Sequence, residues 1–380
     1  MFKIYYLFKT IKSIIEIFII TNLIFKKNKV IMFYFPIKAY QENILEIIKK
    51  LDKKKYLVLS AFNNSTSREI KNIKNSFFLD IAYLKYIPFK NLFLKNIDFF
   101  LSSYLTYIFP PNSKNVYISH DIYDAPMINK KLEKKMFIRI NKIDYIFVAS
   151  EVSKKYLLMK LREFNKKINP KLFNTGYLKL DHVYKKLKDK NKNKNSILIA
   201  PAYTLNYKKF NMTGKLIKLI TFLLDELNEE VIYRPHPLDL TLKGDQKLVR
   251  NIVIKFKDNP KFKTDFSVSY LDSYKNAKIL LTDITSTAYT FAFSTENPVI
   301  FYSPKENIIK KDDYFNISYI KDRNKVGIIT KNFYEVKKAI IKITKNKKTF
   351  KKNILRLRKE KIKFFNMAKS TTIKRITNLL

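Results

Sequence analysis

Short apolar runs alternate with amphipathic stretches over most of the 380-residue chain. In the first half, the apolar runs predict strands at 30–35, 56–60, 96–102, 115–119 and 144–149. Stretches with their apolar residues on one side predict helices at 39–51 and 153–161. Uniformly apolar strands are typical of sheets covered on both faces, and strands that alternate with helices form parallel sheets.

A second series of elements follows the stretch 185–196, which is nearly all Lys, Asp and Asn and is typical of a linker. Behind it the pattern predicts strands at 196–200, 230–233, 277–282 and 298–302. It predicts helices at 213–227, 242–256, 286–294 and 333–344, and a basic helical segment over 351–380. We therefore expect two α/β domains that face each other across a cleft, with ligands beyond the carboxyl ends of the strands.

The composition excludes several kinds of site. Cysteine is absent, which excludes disulfides, thiolate metal sites and a cysteine nucleophile. A histidine metal site would need all three histidines, which lie far apart in the sequence. Only four glycines are present, so glycine-rich phosphate loops are excluded as well. We expect no cofactor and no metal.

The formal net charge is +44, mostly from lysine spread along the chain. A coding bias toward Lys, Asn and Ile explains this composition as well as a functional need for positive charge does. The charge itself favours phosphates, anionic lipid or nucleic acid as partners. Nucleic acid is the weakest of these, because the chain has no zinc finger, no basic region followed by heptads and no aromatic-glycine signature of RNA binding.

The region 11–25 is apolar but is interrupted by Lys12, Glu16 and Asn22. Its uninterrupted stretch is too short for a membrane-spanning helix, and no small-residue cleavage site follows it. Two alternatives stay open: a helix that lies in a membrane interface, with lysines around it, or a helix packed on the N-terminal domain.

Two of the three histidines follow predicted strands, one in each domain. His120 comes directly after the strand at 115–119, and His236 follows the strand at 230–233 with Arg234 beside it and a proline on either side. Arginine and histidine in a rigid loop suit a phosphate or diphosphate. The alternative is a turn that only ends the strand. His182 lies just before the linker.

Hydroxyl side chains cluster after the strand at 277–282, where an apolar helix begins. Thr285 or Ser286 can cap that helix, so that its N–H groups bind a phosphate without glycine. An ordinary N-cap without a ligand is the alternative. After the strand at 196–200, Tyr203 or Thr204 is placed to contact a base or phosphate, which is a weak signal by itself.

These motifs, in this order and spacing, resemble the CDP-glycerol glycerophosphotransferase family, which makes teichoic-acid-like and capsular polymers. The resemblance covers about residues 90–305. The matching segments are the His120 turn, 176–181, 200–204, 234–237 and 282–286. The chain departs from the family's usual residues at Asp121, at Leu178 and Lys179, and at Thr285.

The resemblance implies a GT-B fold, with two Rossmann-like domains whose parallel sheets face a central cleft. It implies an acceptor domain over 1–184, a linker over 185–196 and a nucleotide-donor domain over 197–345. A basic C-terminal helix over 346–380 would pack back on the first domain. The expected site residues form two sets. The catalytic set is His120, Asp121 and His236, and the donor-binding set is Gly176, Thr204, Arg234, Asp283, Thr285, Ser286 and Thr287. The resemblance assigns roles at His120, Arg234, His236, Asp283, Thr285 and Ser286, and the others are added because they lie in or beside the motifs.

The expected reaction transfers glycerol phosphate, or a related polyol phosphate, from a CDP-activated donor to a hydroxyl of a lipid-linked or capsular glycan. His120 is the expected general base, oriented by Asp121 or Asp124. An anionic membrane surface is an expected partner, on the cytoplasmic face of the cell membrane. Two alternatives remain: a GT-B glycosyltransferase that uses a nucleotide sugar, and a non-enzymatic protein that binds nucleic acid.

Overall fold

The structure is a computed structural model of the whole chain. It describes residues 2–24, 29–35, 44–51, 55–62, 76–80, 87–88, 90–106, 109–119, 121–123, 136–164, 169–188, 195–205, 210–240, 245–267, 269–311 and 318–380. Within these ranges the chain forms two compact units. Unit 1 comprises Met1–Asp181 and Ile362–Leu380, and unit 2 comprises His182–Lys361.

Unit 1 contains a parallel sheet of seven strands in the order β3-β2-β1-β4-β5-β6-β7. The strands are β1 Lys29–Phe35, β2 Tyr56–Phe62, β3 Ser76–Asp80, β4 Phe99–Ser102, β5 Lys114–Ile118, β6 Tyr145–Val148 and β7 Lys171–Asn174. The five predicted strands are confirmed. The two strands that the apolar pattern missed, β3 and β7, form the edges of the sheet. Two of the four residues of β7 are only half-buried, so its sequence lacks an uninterrupted apolar run.

Helices flank this sheet. They are α1 Phe2–Ile19, α2 Leu45–Lys50, α3 Lys90–Leu94, α4 Glu151–Phe164, α5 Leu178–Lys188 at the junction with unit 2, and the last helix of the chain. A π-helical segment, Ile20–Ile24, continues α1. Ile14, Ile17 and Ile20 pack against the apolar side chains of β1 and β2, so one face of α1 belongs to the core of unit 1. None of the described helices has enough length and apolar character to cross a bilayer.

Unit 2 contains a parallel sheet of six strands in the order β10-β9-β8-β11-β12-β13. The strands are β8 Ser196–Ile199, β9 Glu230–Tyr233, β10 Phe262–Thr264, β11 Ala277–Thr282, β12 Val299–Tyr302 and β13 Gly327–Thr330. Again the four predicted strands are central, and the two that were missed are short edge strands. The second half of the chain is therefore an α/β unit, as expected.

The helices of unit 2 are α6 Leu216–Thr221, α7 Gln246–Phe256, α8 Leu271–Asn276, α9 Thr287–Thr295, α10 Glu306–Lys311, α11 Ser318–Lys321, α12 Arg323–Val326, α13 Phe333–Lys345 and α14 Lys347–Lys361. The single helix predicted over 213–227 is a 3-10 turn, Thr213–Lys215, then α6, then a π-helical segment, Phe222–Glu226. Its apolar residues still pack on the sheet.

His182 lies in α5, which crosses the unit boundary. Two predictions near this boundary need correction. Residues 185–188 of the predicted linker are helical, because Val183 is buried and continues the apolar side of α5. The basic C-terminal segment is two helices, α14 and α15 Ala368–Leu379, of which only the second belongs to unit 1.

Candidate functional site

The loops that follow β8, β9 and β11 lie together at the carboxyl ends of the strands of the unit 2 sheet. β8 lies between β9 and β11, and all three strands are parallel. The chain runs outward from β8 through β9 to β10, and β11 then begins on the other side of β8. In open parallel sheets a ligand binds at the carboxyl ends of the strands beside such a reversal. The candidate site therefore lies at the carboxyl ends of β8, β9 and β11.

The loop after β8 is held in place by a buried carboxylate from the end of β11. Asp283 is only 1% exposed. Its two oxygens accept hydrogen bonds from the backbone N–H groups of Ala202, at 2.8 Å, and Met212, at 2.9 Å. Burial raises the pKa of Asp283 to about 6, although these backbone hydrogen bonds act in the opposite direction. The structure therefore places this predicted donor-binding residue beneath the loop, where it fixes the loop's backbone.

A second buried carboxylate, which the sequence analysis missed, holds the same loop. Asp239 accepts a hydrogen bond of 2.6 Å from the Thr204 hydroxyl and weaker ones from the Thr204 N–H. Thr204 is itself buried, so its hydroxyl stabilises the loop by bonding Asp239 and is not presented at the surface. The only sequence signal for Asp239 was an acidic residue three positions after His236.

His236 lies at the end of β9, where a 3-10 turn, Pro237–Leu240, begins. Its Nδ1 accepts a hydrogen bond of 3.2 Å from the Leu238 N–H. A neutral imidazole with Nδ1 as acceptor carries its proton on Nε2. Nε2 is therefore a donor, which suits contact with a phosphate oxygen. The ring of Tyr203 lies beside the imidazole, with 5.5 Å between the ring centroids.

Arg234 forms an ion pair and hydrogen bonds with other residues of unit 2. Its guanidinium forms an ion pair of 2.5 Å with Asp265 and donates to the carbonyl oxygen of Ser267 at 2.9 Å. Burial raises the pKa of Asp265, but hydrogen bonds from Ser267 and Ser273 and the charge of Arg234 outweigh it, so the pKa lies below its usual value. The positive charge of Arg234 is thus largely neutralised by its neighbour. Its role in binding a diphosphate remains a prediction.

The start of α9 presents half-buried hydroxyl groups after β11. The N–H of Thr287 approaches the Thr285 hydroxyl at 3.4 Å, and Ser286 occupies the N-cap position without a side-chain cap bond. The hydroxyls of Ser286 and Thr287 make no hydrogen bond among the described residues. The helix behind them is buried from Ala288 onward. Hydroxyls and N–H groups at a helix start suit an anion.

The predicted site residues of unit 1 have different surroundings. His120 and Asp124 lie outside the described residues. Asp121 is buried and accepts a hydrogen bond of 3.1 Å from the Tyr123 N–H, so it shapes the turn after β5. Its role in orienting His120 remains a prediction.

Gly176, predicted to bind the donor, has a conformational reason for being glycine. Its φ is +83°, a left-handed conformation that favours glycine. An added Cβ would lie 2.9 Å from both the Ala368 Cβ and the Phe364 carbonyl oxygen. The structure explains this glycine by the close approach of the segment before α15, without a ligand.

Among the residues that the structure describes, no group of three His, Asp or Glu side chains is arranged to hold a metal ion. The donors at the candidate site are His236, Arg234, the hydroxyls at the start of α9 and backbone N–H groups, and donors of these kinds bind anions.

No protein-family model matches the chain, and no curated protein matches it in sequence. Solved structures match it in fold. A variant of the wall teichoic acid polymerase TagF is 14% identical, with a TM-score of 0.63 over 100% of this chain and 98% of that chain. A putative UDP-N-acetylglucosamine 2-epimerase from Listeria monocytogenes is 10% identical, with a TM-score of 0.58 over 92% of this chain and 95% of that chain. The α/β, GT-B fold with two Rossmann-like units is thereby confirmed, and so is the family resemblance at the level of fold.

Proposed function

We propose that the chain transfers glycerol phosphate, or a related polyol phosphate, from a CDP-activated donor to a hydroxyl of a lipid-linked or capsular glycan. The observation that carries the proposal is that the His236 loop and the hydroxyl-rich start of α9 lie on either side of the loop after β8, at the carboxyl ends of the unit 2 strands. The motif resemblance and the shared fold of TagF support the same reaction class. One TagF structure was obtained after soaking with CDPG; it is 13% identical to this chain, with a TM-score of 0.60.

In this proposal the diphosphate of the donor binds at the carboxyl ends of β8, β9 and β11 in the unit 2 sheet. The Nε2–H of His236 donates to a phosphate oxygen, and the hydroxyls and first N–H groups of α9 contact the same diphosphate. Fixed donors of this kind stabilise the negative charge on the departing nucleotide at the moment of transfer. Arg234 contributes positive potential beside His236, partly offset by Asp265.

The acceptor hydroxyl attacks the β-phosphorus of the donor. A new P–O bond forms to the acceptor, the bond to the bridging oxygen breaks, and CMP leaves with that oxygen. We propose that His120 takes the proton of the acceptor hydroxyl, since an imidazole with a pKa of about 6.5 is suited to this near neutral pH. Catalysis is then alignment of the two substrates plus neutralisation of charge.

The second candidate is transfer of a sugar from a nucleotide sugar. The fold shared with the putative UDP-N-acetylglucosamine 2-epimerase favours it, since that protein is named for a nucleotide sugar. The same loops of unit 2 would hold the diphosphate in either reaction. The two candidates differ in the bond that breaks, so the released nucleotide is CMP in the first reaction and a nucleoside diphosphate in the second.

A thermal-shift screen with CDP-, UDP- and GDP-linked compounds tests the proposed function. Because a ligand that binds only the folded state raises the melting temperature, CDP-glycerol or CDP-ribitol is expected to raise it most. A larger shift with a UDP- or GDP-sugar would favour the second candidate. An unchanged melting temperature with every compound would remove both.

We also propose that α1 contacts the surface of an anionic membrane on its cytoplasmic side. Opposite the face packed in the core, α1 presents Ile4, Phe8, Ile11 and Ile15 to solvent at helical spacing, with exposures between 38% and 66%. Lys9 and Lys12 lie beside this stripe. A packed helix with a second, exposed apolar face and flanking lysines suits the interface of a bilayer with anionic lipid.

Flotation with phosphatidylglycerol vesicles tests the membrane proposal. The triple variant Ile4→Gln, Phe8→Gln, Ile15→Gln changes only exposed side chains, so α1 stays packed while most of the bound fraction is expected to be lost. A matched control replaces the exposed Ile254, Ile308 and Tyr334 of unit 2 by Gln and is expected to float like the wild type. Equal flotation of the α1 variant and the wild type would refute the proposal.

A further inference from the structure

Tyr203 is a partly exposed residue of the loop that follows β8. Its neighbours in the chain, Ala202 and Thr204, are buried, while Tyr203 is half-buried and lies beside the ring of His236. The position after β8 made either Tyr203 or Thr204 a candidate ligand contact, and the expected donor-binding set included only Thr204. The structure separates them, because the Thr204 hydroxyl is bound to Asp239.

The backbone on both sides of Tyr203 is fixed. The N–H of Ala202 is held by Asp283, the N–H and hydroxyl of Thr204 are held by Asp239, and the carbonyl oxygen of Thr204 accepts from Asn211 at 2.9 Å. The hydroxyl of Thr282 also binds the carbonyl oxygen of Ala200. A side chain on a backbone held at so many points is oriented before a ligand arrives, which lowers the entropic cost of binding.

The chemistry of Tyr203 suits a flat ring better than a phosphate. Burial raises the pKa of its hydroxyl, and the charge of Asp239 raises it further, so the side chain stays neutral. A neutral phenol offers a diphosphate one hydrogen bond and no charge. The ring of Tyr203, with the imidazole of His236 beside it, is the kind of aromatic surface on which bases stack.

We propose that Tyr203 stacks on the base of the nucleotide donor and thereby binds the nucleoside part of the ligand. The inference rests on the proposed function, since it needs a nucleotide whose phosphates lie at His236. Tyr203, in the loop after β8, then holds the base, while His236, in the loop after β9, and the start of α9 hold the phosphates. Stacking is tolerant of base identity, so Tyr203 contributes affinity for any nucleotide.

Calorimetry on the full chain with CMP, UMP, GMP and inorganic pyrophosphate tests the inference. Tyr203→Leu keeps an apolar side chain but removes the ring, and is expected to weaken binding of the nucleotide monophosphates by about tenfold. Its affinity for pyrophosphate is expected to equal that of the wild type. Tyr203→Phe keeps the ring and is expected to restore most of the nucleotide affinity. Tyr334→Leu, an exposed tyrosine of α13, is the matched control and is expected to bind like the wild type.

Three results would overturn the inference. Unchanged nucleotide affinity in Tyr203→Leu would exclude stacking while the proposed function stands. An equal loss of nucleotide and pyrophosphate affinity would show that Tyr203 acts only by supporting His236. Failure of the wild type to bind any nucleotide monophosphate, CDP-glycerol or nucleotide sugar would overturn the proposed function together with this inference.

Discussion

Replacement of His120 by alanine is expected to lower turnover by a factor of about 10²–10⁴, which is the usual contribution of a general base. In the proposed reaction His120 takes the proton of the acceptor hydroxyl as the new P–O bond forms, so the alanine variant lacks the proposed base. Donor affinity is expected to stay within about twofold of the wild type, because the donor is held by the loops of unit 2. The assay measures CMP released from CDP-glycerol in the presence of acceptor.

His182→Ala provides the matched control for this variant. His182 lies in α5 rather than after a strand, and it has no place in the proposed reaction. Its turnover is expected to equal that of the wild type. Wild-type turnover in His120→Ala, or an equal loss in both variants, would remove the assignment of His120 as the base.

The second large effect is expected at Gly327, the first residue of the edge strand β13. Val299 of β12 is its register partner, and a Cβ at position 327 would lie 1.8 Å from the Val299 carbonyl oxygen. The backbone there is extended, so the obstacle is the close approach of the two strands and not the conformation. Gly327→Ala must push β13 away from β12, at a cost of about 3 kcal/mol or more in the free energy of unfolding.

For a unit of this size that cost corresponds to a fall of roughly 6–12 °C in the melting temperature. Gly214→Ala is the matched control, since no atom lies within 4 Å of the added Cβ. It is expected to melt within about 2 °C of the wild type. If the two alanine variants melted together, the close pairing of β12 and β13 would be wrong.

The apolar pattern of the sequence predicted the central strands of both sheets and missed the edge strands. The central strands are buried on both faces, so each reads as an apolar run. Two of the four residues are half-buried in each of the edge strands β7 and β13, and β10 has three residues, of which two are exposed. Short, partly exposed strands carry too few apolar residues to stand out from a loop.

Polar residues could be placed from the sequence where they follow a strongly apolar strand. His236 and the hydroxyls at 285–287 lie after β9 and β11 as predicted, and their roles toward a donor remain predictions. Asp239 and Asp265 were missed, because their roles depend on which loops the fold brings together. The Thr204 hydroxyl and the Asp283 carboxylate were assigned to the donor by resemblance, and only the structure shows that both hold the loop that carries Tyr203.

The most direct test of the account is the affinity of the full chain for CDP-glycerol, measured by calorimetry in the wild type and in His236→Ala. A hydrogen bond to a charged phosphate contributes about 1.5–3 kcal/mol, so the variant is expected to bind about ten- to a hundredfold more weakly, while His182→Ala binds like the wild type. Undiminished affinity in His236→Ala would contradict the claim that the nucleotide's phosphates lie beside His236, at the carboxyl ends of the unit 2 strands.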